Sequence, residues 1–348
     1  MSKHEISSIS EFLLHAGTDY RVFDMGRTIR EIPSQEFLEQ ENGQIKPAFT
    51  RAQHGWFGIV FWDKTRSEQQ YIWFVKLPTD ENGFIVSACR NHFLQIIVDA
   101  LGAELENADK KNGQLPENPY SFVPNQNQIA DFNSKSKKVL SLGKSQYFDA
   151  AKAYIQSPMV IDWQSIALQG LSDLVAEIHS VEIYNAICRH FSQFPEQVQY
   201  QLLISMENYP LPDACVQTIV TWLNQHPEDE VKWQHGLRAL SQTSDSEKVV
   251  AILNQTLQSQ LSNKHNILVI ISGRLWHHLA TPELLLNFFE KVAEADANFD
   301  LFMGIFQDLV QLPDIREQVL SMLRTPNKSN SLSAAVGHLF SAHQRQDS

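Results

Sequence analysis

The residues best equipped for chemistry in this chain are few and widely spaced. Asp24, Arg27, Asp63, Lys76 and Arg90 fall at the ends of expected strands or helices, where side chains can converge. A carboxylate beside a guanidinium or ammonium is the minimum equipment for proton transfer or for gripping a small charged ligand. Asp24, Arg27, Asp63 and Lys76 therefore form one candidate ligand site, and Asp24 with Arg27 serves equally well as a turn clasp. Gly143-Lys144-Ser145 ends like a phosphate-binding loop, but Lys138 stands where that motif needs a glycine. His277 and His278 are neighbours, so on a helix they point about 100° apart, poor geometry for chelating one ion. Cys188 and His190 diverge in the same way, and Cys188 lies on an apolar stripe that predicts a core position. The sequence holds no GxSxG, HExxH, GxGxxG or EF-hand pattern. No catalytic residue, metal ligand or cofactor-binding residue is assigned, and the expected cofactor complement is none.

The elements that must position these groups change character along the chain. Tyr20 to Asp24 and Thr28 to Ile32 alternate, while Trp56 to Trp62 and Tyr71 to Val75 are dense in β-branched and aromatic residues, all of which predicts strands. Trp56, Trp62 and Trp73 are expected in the core. The polar stretch Asp63 to Gln70 suits a hairpin connection, and the near-continuous apolar runs imply burial on both faces. Helices to cover those faces are expected at Ile6 to Leu13, ended by Gly17, at Pro33 to Glu41 with Ser34 near the cap, and at Ala88 to Leu101. Residues 1–102 thus read as a small antiparallel α+β domain. Residues 103–145, with Asn112-Gly113, Pro116, Pro119 and Pro124, read as a linker held on the surface by Tyr120, Phe122, Ile129 and Phe132.

From residue 146 to 348 the apolar periodicity is helical and repeats. First helices are expected near Ser180, Pro212, Ser246, Pro282 and Pro313, each followed by a second helix centred on a small residue: Gly170, Ser205, Gly236, Gly273, Gly304 and Gly337. A glycine inside a helix costs about 1 kcal/mol relative to alanine, so close helix approach is the expected compensation. Two amphipathic helices per repeat predict an all-α, HEAT-like α-solenoid of about five to six helix pairs.

Composition narrows the partners. The chain has 348 residues, 43% of them hydrophobic, enough for two ordinary cores. Forty acidic residues against 28 basic ones leave a net charge of −12, which argues against a phosphate-backbone binder and predicts no nucleic-acid partner. Residues 1–102 contribute −3, residues 103–145 contribute +1 and residues 146–348 contribute −10. The excess suits both helix capping and a basic protein partner. No apolar window approaches the roughly 20 residues of a membrane span, the N-terminus lacks signal-peptide character, and three scattered cysteines suggest neither a disulfide framework nor a zinc site. A cytoplasmic location without membrane partners is expected.

Tyr20-Arg-Val-Phe-Asp-Met-Gly-Arg27, Trp56-Phe-Gly-Ile-Val-Phe-Trp-Asp63, Tyr71-Ile-Trp-Phe-Val-Lys-Leu-Pro78 and Asn118-Pro-Tyr-Ser-Phe122 resemble a bacterial family of uncharacterised proteins, domain of unknown function 3549. The resemblance runs over most of the chain. It implies a bacterial cytoplasmic protein and carries no activity, cofactor or catalytic residue with it.

Two functional readings follow. In the first, the protein is a non-enzymatic interaction or scaffold protein whose second helices line a binding surface for a protein or peptide. Gln169, Glu207, Arg238, Arg274 and Gln307, beside the periodic small residues, would form that surface. In the alternative, the protein is an enzyme or small-ligand binder with its site at Asp24, Arg27, Asp63 and Lys76, in the N-terminal domain or at the domain interface. The sequence sets no oligomeric state.

Overall fold

The computed structural model describes residues 7–63, 65–106, 116–244, 246–326 and 328–346. Ile6 and Asn112-Gly113 lie outside the described residues, and Leu101 lies in a stretch whose side chains are not described. The chain divides into two compact units, Met1–Asn125 and Gln126–Ser348.

The N-terminal unit is an α+β arrangement. Helix α1 (Ile9–His15) leads through Gly17, whose φ of +76° permits the sharp reversal, into strand β1 (Thr18–Asp24). Strand β2 (Arg30–Ile32), helix α2 (Ser34–Glu41), strands β3 (His54–Asp63) and β4 (Arg66–Pro78) and helix α3 (Ser87–Glu106) follow. The sheet is antiparallel with order β2-β1-β3-β4. Its register pairs Val22 with Ile59 and Ile59 with Trp73, so Tyr20, Val22, Phe57, Ile59, Val75 and Leu77 share one face. That face packs with Ile9 and Leu13 of α1, Phe37 of α2, and Phe93, Leu94 and Ile97 of α3 in a single core. Each such side chain contributes about 1.5–3 kcal/mol by leaving water.

Three details depart from expectation. All three helices serve the same face of the sheet. Phe23 and Val60 are buried on the opposite face, but Tyr71 and Ile72, near the hairpin end of edge strand β4, are exposed. The polar stretch before Gln70 is strand, since β4 begins at Arg66 and the connection spans two residues. An edge strand tolerates polar side chains, which is why its composition imitates a loop. The segment Tyr120 to Phe122 lies along the other side of β4: Lys76 N donates to Tyr120 O at 2.7 Å and Phe122 N to Phe74 O at 3.1 Å.

In the second unit every described element is helical. The α-helices are α4 (Gln126–Val139), α5 (Phe148–Gln156), α6 (Leu168–Ala176), α7 (Val181–His190), α8 (Glu196–Met206), α9 (Asp213–Asn224), α10 (Glu230–Ala239), α11 (Ser246–Gln258), α12 (His265–Arg274), α13 (Pro282–Ala295), α14 (Asp300–Leu309), α15 (Arg316–Met322) and α16 (Asn330–Gln346). Helix α4 occupies ground read as linker. Its low apolar content hides it, yet Ala130, Asp131, Phe132 and Ser134 are buried. Helix α9 shows the usual logic: Cys215, Val216, Ile219, Trp222 and Leu223 recur at helical spacing and are the buried residues. Packing is orderly: α4, α6, α8, α10, α12 and α14 contact in succession, α5 packs on α7 and α7 on α9, and α11 packs on α13 and α13 on α15.

The small residues do not share one role. A Cβ at Gly170 would lie 2.6 Å from Tyr147 O, and one at Gly236 would lie 2.7 Å from a Leu223 methyl. Close approach therefore explains those two. At Gly273, Gly304 and Gly337 a Cβ would meet nothing within 4 Å, and nothing in the structure explains these glycines. Nor are the small residues central: Gly170 is third in α6, and Ser205 and Gly273 are next to last in α8 and α12.

Candidate functional site

Three of the five residues expected on a partner surface converge on one another. Glu207 sits just past the end of α8, Arg238 in the last turn of α10, and Arg274 ends α12. Arg238 grips the carboxylate with two bonds, Nε to Oε2 at 2.8 Å and Nη2 to Oε1 at 3.0 Å, and Arg274 Nε donates to Oε2 at 3.0 Å. Glu207 is buried. Burial works to raise its pKa, but the guanidiniums of Arg274 and Arg238 outweigh that and hold it below the ordinary glutamate value. The same pairing holds Arg238 above its ordinary value against burial. These charges, expected to meet solvent, instead tie three successive helices together, because a carboxylate that loses water needs more than one charged donor.

The polar seam continues through α4 and α6. The Glu207 carbonyl accepts from Ser241 Oγ at 2.8 Å, and Asn208 donates through Nδ2 to Asp131 Oδ2 at 3.2 Å. Lys135 Nζ donates to Asn208 O and lies 4.4 Å from the centre of the Tyr209 ring. The hydroxyls of Ser172 and Ser205 are 3.2 Å apart. Burial raises Asp131 to about 6, against the lowering effect of the Ser205 and Ser172 hydroxyls. Gln169 belongs here too: its Nε2 donates to Ser134 Oγ at 2.8 Å, Asp173 Oδ1 at 2.9 Å and Ala130 O at 3.1 Å. Asp173 also accepts from Ser134 Oγ at 2.6 Å and from Ser145 N at 3.1 Å. Gln307 stands apart, exposed on α14.

Sequence reasoning missed Asp131, Ser134 and Lys135 of this seam. Their signal was available, since with Lys138 they fall at i, i+3, i+4 and i+7, one polar face of α4. Chemically the seam is mostly paired donors and acceptors that lock helices, with Asp131 Oδ1 and the Tyr209 hydroxyl buried without a hydrogen-bond partner among the described residues. Glu207, held below its ordinary value by two arginines, is a weak base, and no serine of the set is shown bonded to a histidine. Two concavities of the unit, about 60 Å³ beside Ser134, Lys138 and Asp173 and about 260 Å³ between Pro282, Leu285 and Met322, are smaller than the roughly 300–1,000 Å³ of substrate pockets.

The four residues of the alternative site do not assemble. Asp24 pairs with Phe57 in the register and Asp63 with Thr18, which puts the two carboxylates at opposite ends of β1. Asp63 is exposed, and its Oδ1 accepts from Thr65 N and Oγ1, each at 2.7 Å, as a turn residue does. Lys76 pairs with Trp56, one position along from the Phe57–Val75 pair on the core side, so it occupies the opposite face from Asp24 and lies 5.7 Å from the Trp56 ring centre. Trp56 is accordingly not a core residue of the helix-covered face, and it also carries the Arg51 guanidinium at 4.2 Å. Asp24 and Arg27 remain near each other. Asp24 Oδ1 accepts from Gly26 N at 2.8 Å, and Arg27 Nε donates to Thr50 O at 3.3 Å. Burial pushes the Asp24 carboxyl up to about 7, against the Gly26 amide and the charges of Arg30 and Arg27. A side chain at Gly26 would collide with Phe49 O, so the two loops touch backbone to backbone there. Arg90 is a structural cation: its Nη1 donates to Glu41 O and Asn42 Oδ1, each at 2.6 Å, while the Glu41 carboxylate accepts Ile9 N at 2.6 Å and Ser10 N at 3.0 Å and so caps α1.

His278 is buried with Nδ1 3.2 Å from Ser246 Oγ, and the His277 and His278 rings lie 4.1 Å apart. Burial lowers both, His278 to about 4 with the His277 charge adding to the effect. Among the described residues no three His, Cys, Asp or Glu side chains cluster as a metal site would require, and no helix is long and apolar enough to cross a membrane.

Comparison with curated proteins and with solved structures finds no match to either. A family profile, Protein of unknown function (DUF3549), matches residues 4–340. That match takes in both structural units and nearly every residue discussed above, and the chain belongs to this family.

Proposed function

We propose that the protein is a non-enzymatic scaffold of the cytoplasm whose second unit is a HEAT-like α-solenoid of about five to six helix pairs that binds a protein or peptide. The observation that carries this reading is the succession of helix contacts, α4 through α14 by even numbers in one row and α5, α7 and α9, then α11, α13 and α15, in the other. Stacked pairs of this type offer a long surface without a pocket. With Glu207, Arg238 and Arg274 engaged internally, acidic charge is left for a partner: Asp213, Glu247, Glu283 and Glu317 occupy the first turns of α9, α11, α13 and α15 and are exposed. A basic partner fits that ledge.

The test is in-cell crosslinking followed by purification of the tagged full chain, beside the triple reversal Glu247→Lys, Glu283→Lys and Glu317→Lys. A specific basic protein that crosslinks to the parent and is lost from the variant, at unchanged circular dichroism, supports the reading. Recovery of the same proteins from both, or of none from either, removes it.

A second reading survives on one observation, the buried Asp24 with a carboxyl raised to about 7 beside Arg27. We propose it as a small-ligand site in the N-terminal unit. Protection of that unit from hydrogen exchange by a ligand library, lost in Asp24→Asn, would favour it, and no protection by any compound would end it.

A further inference from the structure

The cysteines that look scattered in the sequence are not scattered in the fold. Cys188 of α7 and Cys215 of α9 face each other across packed helices, their sulfurs 3.5 Å apart. That is van der Waals contact for two sulfurs, and a disulfide requires them to close to about 2.05 Å. The two differ in access. Cys188 is partly exposed, whereas Cys215 is buried. Cys89 belongs to the other unit, where it packs at the edge of the sheet core.

We propose that Cys188 and Cys215 are a modification site, a thiol pair that hydrogen peroxide converts to an intramolecular disulfide joining α7 to α9. The Cys188 thiolate attacks one peroxide oxygen, the O–O bond breaks, and hydroxide leaves to give a sulfenic acid on Cys188. The Cys215 sulfur then attacks the Cys188 sulfur. The S–O bond breaks, the S–S bond forms, and the Cys215 proton leaves with the departing hydroxide as water. Together with the proton that Cys188 shed earlier, two thiols and one peroxide yield one disulfide and two waters. A low-molecular-weight dithiol reverses the reaction by exchange, itself becoming a disulfide.

The roles follow from the surroundings. A hydrogen bond from the Cys215 thiol, opposed by burial and aided by the Thr218 hydroxyl, brings Cys188 down to about 7, so a large share of it is thiolate at neutral pH. The same interaction, with burial, pushes Cys215 up and keeps it a thiol until Cys188 is oxidised. Cys188 is thus the residue that meets the oxidant and Cys215 the one that resolves it. The bond would staple consecutive members of the odd-numbered helix row, a proposal that rests on the α7–α9 packing and not on the scaffold reading.

The test uses the full chain, reduced, exposed to hydrogen peroxide, denatured and alkylated. Of three alkylatable thiols, only Cys89 should remain, with a proteolytic crosslink between the peptides bearing Cys188 and Cys215 that dithiothreitol removes. The melting temperature of the second unit should rise by about 5–10 °C on oxidation. In Cys215→Ser, Cys188 should instead accumulate a dimedone-reactive sulfenic acid that the parent does not. Three surviving thiols, over-oxidation of Cys188 without a crosslink, or bonds only between chains would each overturn the proposal, and the measurement on the parent decides even if the variant fails to fold.

Discussion

Asp24 in the N-terminal unit and Glu207 in the helical unit are both buried carboxyls, yet they sit on opposite sides of their ordinary pKa values. Glu207 has two guanidiniums on it at 2.8–3.0 Å, and their charge overcomes the loss of water. Asp24 has a backbone amide at 2.8 Å, and burial wins. Depth alone therefore does not decide the charge of a buried acid; the number of ionised donors in contact does. The helical unit also contains His235 and His278, both lowered to about 4 by burial, while the N-terminal unit adds Glu41, which burial raises. The two units are thus built to answer acid in opposite senses.

The sharpest way to break this comparison is to remove Glu207. Glu207→Ala leaves Arg238 and Arg274 facing each other with their anion gone, and should cost the helical unit about 3–5 kcal/mol in denaturant unfolding. Arg238→Ala, which leaves Arg274 on the carboxylate, should cost less. A result for Glu207→Ala within 1 kcal/mol of the parent would show the triad to be a surface ornament.

Next in size is pH. A histidine whose folded pKa is depressed binds fewer protons than the unfolded chain between about 4 and 6.5, so its stabilising contribution is complete above 6.5 and is lost as pH falls through that window. At pH 5 the helical unit should lose about 2 kcal/mol for each of His235 and His278, relative to pH 7. Asp131, raised to about 6, offsets part of this. Asp24 behaves in reverse. Its folded pKa is raised, so the folded state holds the extra proton between 3.8 and about 7, and stability falls as pH rises through that window. Asp24 should return about 2 kcal/mol to the N-terminal unit on going from pH 7 to 5, and Asp24→Asn should remove that share, leaving what the raised Glu41 contributes. Hydrogen exchange resolved by segment reads both units in one sample, and parallel slopes would refute the contrast.

Smaller effects test the glycines. Gly170→Ala forces a methyl against Tyr147 O and should cost about 1–3 kcal/mol, whereas Gly304→Ala enters open space and should stabilise by up to about 1 kcal/mol. Smallest of all, Ala52 and Gln53 form the centre of a tight turn with φ of 49° and 57°, and Gln53→Gly should gain a few tenths of a kcal/mol by relieving a left-handed side-chain-bearing residue. Thermal melts of the three variants give the order.

How much of this could be read from sequence depended on the type of signal. Strands β1 and β3 alternate or run apolar and were legible, whereas the start of β4 was not, because an edge strand can be as polar as a turn. Glu207, Arg238 and Arg274 were singled out because they neighbour residues recurring at repeat spacing, and they stand at the ends of three helices that contact in succession. That they would bind one another was not legible, since it depends on the rotation of each helix by a few tens of degrees. Asp63 and Lys76 illustrate the converse: both lie at strand ends, but the register separates one along the strand and the other across the sheet. The Cys188–Cys215 pairing spans 27 residues and the whole of α8, a separation that no short motif reports.

The short stretch bound along β4 has a meaning for the solubility of the fold. Of the two sheet edges, β2 offers only three residues, and β4 is the long one. Ser121 bridges to Val75, and its neighbours' carbonyl and amide saturate Lys76 N and Phe74 O. A strand whose outward hydrogen-bonding groups are already engaged offers no template to a second chain, and the unit protects itself over that length from cross-β growth with its own backbone.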